Sequence, residues 1–105
     1  MLDRIPVVAG LAYAERVRRV PSSFKATLRP EPGNTYFRHA IEVLMNGEKV
    51  GYLAPELALR YFEPLQAWRG DPVSCPGRRA SRHDHETSGV ELLLDFTGLP
   101  VQPLE

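Results

Sequence analysis

Residues 31–43, EPGNTYFRHAIEV, set an Asn among turn formers, follow it with two aromatics, Tyr36 and Phe37, and then run into an alternating apolar pattern. An Asn in such a place closes an Asx-type turn or reaches a backbone oxygen. Phe37 reads as an anchor that seals one end of a core. Catalytic chemistry has little support along the chain. There is no nucleophile elbow, phosphate loop or metalloprotease motif, and His39, beside Arg38, has no carboxylate at an interpretable spacing, so the chain does not read as an enzyme. His83 and His85 in RHDH, with Cys75 upstream, match no zinc spacing. A loop is expected there, with no metal and no cofactor.

Composition narrows the choice of partner. Thirteen Lys and Arg balance thirteen Asp and Glu, so the whole molecule lacks the positive field of many duplex-binding proteins. A polyanion would need a local patch. Arg16, Arg18, Arg19, Lys25 and Arg29 form one basic excess, and Arg78, Arg79 and Arg82 another, read as a solvated loop. The single Cys75 excludes an internal disulfide and reads as an ordinary thiol. With no apolar run of about 18 residues and no signal-peptide arrangement, the expected location is cytoplasmic, away from membranes.

These groups must be carried on a small scaffold. The 105 residues fit one domain. Residues 5–13, IPVVAGLAY, read as a first strand with Gly10 at a bulge or close approach, followed by a charged connection. Phe24, Ala26 and Leu28 alternate with Lys25, Thr27 and Arg29, the period of a half-buried strand. Asn46-Gly47 predicts a type I′ turn joining AIEVLM to EKVGYL, and Gly51 marks a bulge or a backbone closely approached. Pro55 opens a helix that Pro64 should kink or stop at Glu63. A short strand is expected at 73–75 and a closing strand at 90–96. The economical solution is a mainly β, α+β domain with one helix: a small, OB-like, partly open β-barrel.

Residues 28–58, LRPEPGNTYFRHAIEVLMNGEKVGYLAPELA, resemble the signature of the HIRAN domain family. The matching positions include Glu31, Pro32, Asn34, Tyr36, Ala40, Ile41, Val43, Gly47, Val50, Gly51, Tyr52, Leu53, Leu57 and Ala58. VVAGLAY is similar to the family's first strand, and the likeness covers residues 5–68. The resemblance implies an OB-like barrel that binds single-stranded DNA, in the best-understood members at a free 3′ end, in repair or replication. It places Tyr13, Tyr36 and Tyr52 near one groove as stacking platforms for unstacked bases, with Asn34 at its edge. Phe37 stands where the family has Asp, Ala12 and Pro30 where it has Arg, and Pro55 or Ala54 where it has Lys. Arg29, Arg38 and the loop from Arg78 to Arg82 are then the candidates for phosphate contacts. The alternative is an adaptor that keeps the barrel without the nucleotide site and serves a DNA-processing partner.

Overall fold

The structure, a computed structural model, describes residues 2–9, 11–80 and 91–104. Its centre is a meander built from the two clearest sequence signals. Strand β2 (Ser23–Pro30) buries Ala26 and Leu28 as its alternation requires. It pairs antiparallel with β3 (Ile41–Met45), which turns through Asn46 and Gly47 into β4 (Glu48–Leu53). Both turn residues have positive φ, 52° and 83°, the geometry that favours Asn-Gly in a two-residue hairpin.

The hairpin is not regular beyond its turn. Val43 pairs with Gly51 while Leu44 pairs with Lys49, so Val50 is an extra residue in β4. Such a bulge sharpens the local bend. Strand β1 (Ile5–Val8) lies against the bent segment, pairing Val7 with Leu53 and Val8 with Tyr52. A β-carbon at position 51 would sit 2.6 Å from the Val8 carbonyl oxygen and 2.6 Å from a Val7 methyl. Only glycine permits β1 to dock there.

On its other edge β1 pairs with β6 (Leu92–Leu94), which pairs with β5 (Ser74–Arg79), and β5 returns to β2. The sheet therefore closes in the order β1-β4-β3-β2-β5-β6. The expectation of a partly open barrel is corrected in this one respect; the mainly β, OB-like α+β architecture with one main helix stands. Closure depends on β5, longer than the expected 73–75 because the SCPGRR stretch does not form the loop its Pro and Gly suggest. Gly77 is where the Phe24 ring lies across the strand, and a β-carbon there would collide with that ring.

Two helical pieces contribute to the core. The first strand stops at Val8 rather than reaching Tyr13: after the β-branched residues end, small residues lead into a 3₁₀ turn (Leu11–Tyr13) and the short helix α1 (Ala14–Arg18). Gly10, the expected bulge, lies outside the described residues. Arg79 donates from Nη1 to the carbonyls of Val17 (2.7 Å), in the last turn of α1, and Val20 (2.9 Å), two residues past it, tying the end of the helix to β5.

The main helix α2 (Pro55–Ala67) begins at Pro55 as expected but runs through Pro64 instead of ending at Glu63. Pro64 cannot donate to the Arg60 carbonyl. That carbonyl is met by the Leu104 amide at 2.7 Å, and Arg60 Nε donates to the Leu104 carbonyl at 3.1 Å. Ala58, Tyr61, Phe62 and Leu65 face the core, with the Tyr61 ring edge-on to Phe96. Among the described residues, no helix is long and apolar enough to cross a membrane.

Gly51→Ala is expected to destabilise the fold by about 2 kcal/mol or more, because the atoms it meets include backbone. Gly98→Ala, where nothing lies within 4 Å of the added atom, should change stability little. Urea midpoints of the two variants against the parent check this, and equal midpoints would remove the claimed close approach.

Candidate functional site

The bulge has a consequence on the outer face of the sheet. Lys49 and Tyr52 are three residues apart, which in a regular strand puts them on opposite faces. The extra residue Val50 brings them to one face, where Lys49 Nζ donates to the Tyr52 hydroxyl at 2.7 Å and lies 4.7 Å from the ring centroid. The pairing register also sets Arg29, Glu42, Tyr52 and Val8 in one row across β2, β3, β4 and β1.

Above that row sits the loop of residues 31–40. It is closed at its base by the Glu31 amide donating to the Ala40 carbonyl at 2.8 Å and is tightened by an Asn34-to-Glu31 backbone bond at 3.1 Å. The Asn34 side chain holds the loop from inside: Oδ1 accepts from the Tyr36 and Phe37 amides at 2.8 and 2.9 Å, while Nδ2 donates to Glu31 Oε1 at 2.8 Å and the Tyr52 hydroxyl at 3.3 Å. Tyr52 in turn donates to Glu31 Oε1 at 2.9 Å, and Lys49 Nζ donates to Glu31 Oε2 at 2.8 Å. Four side chains thus tie the loop to β4.

Between loop, β1 and β4 lies a cavity of about 640 Å³. Tyr13, Tyr36, Tyr52 and Asn34 all line it, together with Phe37 and Val8. Tyr13 and Tyr52 meet edge to face with ring centroids 6.4 Å apart. Tyr36 is 96% exposed, so nothing in the described residues packs on its ring. Phe37 packs on the core, as the anchor it reads as in the sequence, and also forms part of the cavity wall. Its ring meets His39, which meets Phe62 of α2, each edge-on.

The proposed phosphate contacts are not part of this wall. Arg29 lies at the far end of the cross-strand row and donates to the buried Glu42 at 2.7 Å. Arg38 is exposed but does not line the cavity. The charged residue among the described lining is an acid, Glu31. Hydrogen bonds from Asn34 and Lys49, and then Tyr52, outweigh its burial and hold its carboxyl at about 2. Burial alone would lower the Lys49 ammonium, yet its bonds to Glu31 and Tyr52, with Glu42 nearby, push it up. Both groups are charged across the ordinary pH range.

Lys49 and the working role of Glu31 escaped the sequence reading. The available signal was Gly51: taken as a bulge, it implies that the face assignment of β4 flips within the strand. Of the second basic cluster, Arg79 is used at the end of α1, and Arg82, His83 and His85 lie outside the described residues. Among the described residues no group of His, Cys, Asp and Glu is placed to hold a metal. The Cys75 thiol is buried, which pushes it up to about 12, with the Asp95 charge adding to the effect; it is a packing group, not a nucleophile. Arg16 of α1, three residues after Tyr13, donates from its guanidinium to the Lys49 carbonyl at 2.9 Å. No family model, curated protein or solved structure matches the chain.

The depressed Glu31 carboxyl contributes stability that is complete above its unfolded value, near 4.5, and is lost as pH falls towards about 2. Glu31→Gln should therefore be less stable than the parent by about 2 kcal/mol at neutral pH, with the gap shrinking below pH 4.5. Urea melts of both proteins from pH 7 to pH 2.5 measure this; a gap independent of pH would mean that the carboxylate is not bound as described.

Proposed function

We propose that the chain is a HIRAN-like module of the cytoplasm that binds single-stranded nucleic acid, DNA before RNA, through the cavity under the 31–40 loop. The observation that carries the reading is the convergence of Tyr13, Tyr36 and Tyr52 on one cavity wall, with the Tyr36 ring bare. An unpaired base is flat, apolar on its faces and polar on its edge, and so is matched by aromatic faces around a small polar network. A duplex would not fit, because its bases are stacked and their faces covered.

In this reading the backbone phosphates stay outside the cavity. Glu31 repels them from the wall, and Arg16, with the exposed Arg18 on the same helix and Arg19 at its end, supplies a basic rim. A terminal 3′ hydroxyl is compatible with the carboxylate and a 3′ phosphate is not. Such a rim makes binding weak and dependent on salt, with a log-log slope of roughly 0.7 per neutralised phosphate. The module assists a DNA-processing partner in repair or replication.

The second reading, a protein adaptor, is favoured by one observation: no described cation lines the cavity, and both Lys49 and Arg29 are held by carboxylates. Pairing through a free sheet edge is not its mechanism, since closure leaves the barrel without one.

Fluorescence anisotropy of short labelled DNA strands at low and moderate salt separates the two. Binding is expected to be stronger to a 3′ hydroxyl than to a 3′ phosphate, and Tyr13→Ala and Tyr36→Ala should each weaken it by about 1–3 kcal/mol. No binding at low salt, with both variants indistinguishable from the parent, would transfer the assignment to the adaptor.

A further inference from the structure

Counting donors and acceptors in the cavity network shows what it has left to offer. Asn34 has two amide hydrogens and two oxygen lone pairs; the hydrogens go to Glu31 and Tyr52, and the lone pairs receive the Tyr36 and Phe37 amides. The Tyr52 hydroxyl donates to Glu31, accepts from Lys49 and Asn34, and has the Tyr13 hydroxyl as a further hydrogen-bonding neighbour. Lys49 points its ammonium at Glu31, Tyr52 and Glu42. All three side chains are filled.

Glu31 is not. An ionised carboxylate has about four acceptor positions, and three are taken: two on Oε1, by Asn34 and Tyr52, and one on Oε2, by Lys49. Its side chain is 28% exposed and lines the cavity. The one position these four side chains leave open is therefore an acceptor on an anion, which rewards a hydrogen-bond donor and penalises a lone pair.

Resting on the nucleic-acid reading above, we infer that the cavity selects an unpaired base carrying an exocyclic amino group, cytosine, adenine or guanine, over thymine or uracil, and that Glu31 is the residue that reads it. A cytosine amino group donates to a carboxylate oxygen. In uracil the same ring position is a carbonyl, whose oxygen would face the carboxylate and be repelled; its one donor, N3–H, is flanked by carbonyls on both sides, so presenting it also brings an oxygen towards the carboxylate. Asn34 is a positioning residue for this contact, since its own hydrogen bonds hold Glu31 and shape the loop.

The test compares oligo-dC with oligo-dU on the parent chain by anisotropy at pH 8 and low salt, since the two bases differ on this edge but not in ring size. Oligo-dC should bind about tenfold more tightly, as expected for one hydrogen bond to a charged group. An oligonucleotide of N4,N4-dimethylcytosine, whose amino donors are gone, should fall to the oligo-dU level on the same unmodified protein. In Glu31→Gln, once a thermal melt shows it folded, the dC preference should disappear. Equal, measurable affinity of the parent for dC and dU would overturn the inference and leave the nucleic-acid reading standing. A dC preference that survives dimethylation or Glu31→Gln would overturn the role of Glu31. Failure of every oligonucleotide to bind would remove both the reading and the inference.

Discussion

The missing side chain at position 51 is the constraint on which the barrel and its cavity both depend. Closing a six-stranded sheet needs one place where a strand bends sharply and its neighbour comes close, and in this chain both happen around Gly51. The bulge at Val50 supplies the bend. The bare α-carbon admits β1. The same two residues then decide what the outer face presents, because the bulge turns Lys49 onto the side of Tyr52 and the docking of β1 sets Val8 beside that ring. Closure and the cavity floor are one event in the fold.

The polar network over that floor behaves as a fitted clasp. Glu31, Asn34, Lys49 and Tyr52 come from a loop and a strand that no regular hydrogen-bond ladder joins, and each shares its bonds with at least two of the others. Satisfied networks of this kind fix one arrangement and penalise alternatives, because a displaced member leaves the rest unpaired in a partly dry environment. The stiff frame leaves the Tyr36 ring uncovered on the cavity wall. A rigid loop with one free ring suits recognition of flat ligands, since little order has to be created when the ligand arrives.

Legibility in the sequence followed the range of the interactions. The Asn46-Gly47 hairpin, the alternation of β2 and the start of α2 at Pro55 are local signals and are found where expected. Gly51 was legible as a bulge or close approach, though not which strand approaches. The stop considered at Pro64, the extension of β1 to Tyr13 and the loop at SCPGRR are overruled for a common reason: each involves a distant partner. The lost bond at Pro64 is replaced by Leu104, α1 is tied to β5 by Arg79, and Gly77 makes room for Phe24 rather than for a turn. The site was legible in part. The three tyrosines and Asn34 share one wall, whereas Arg29 lies off it, its Nε bonded to its register partner, the buried Glu42. Arg38 stands clear of the wall.

The exchange of bonds between Arg60 and Leu104 makes the middle of α2 depend on a segment forty-four residues away. A helix interior is ordinarily a self-sufficient ladder, able to stay intact while neighbouring segments fray. Here the rung at Pro64 is borrowed, so lifting residues 101–104 strips a carbonyl inside the helix as well as the apolar cover of Val101. The two segments should open together as one cooperative unit, and tension applied to the final residues would be felt first in α2.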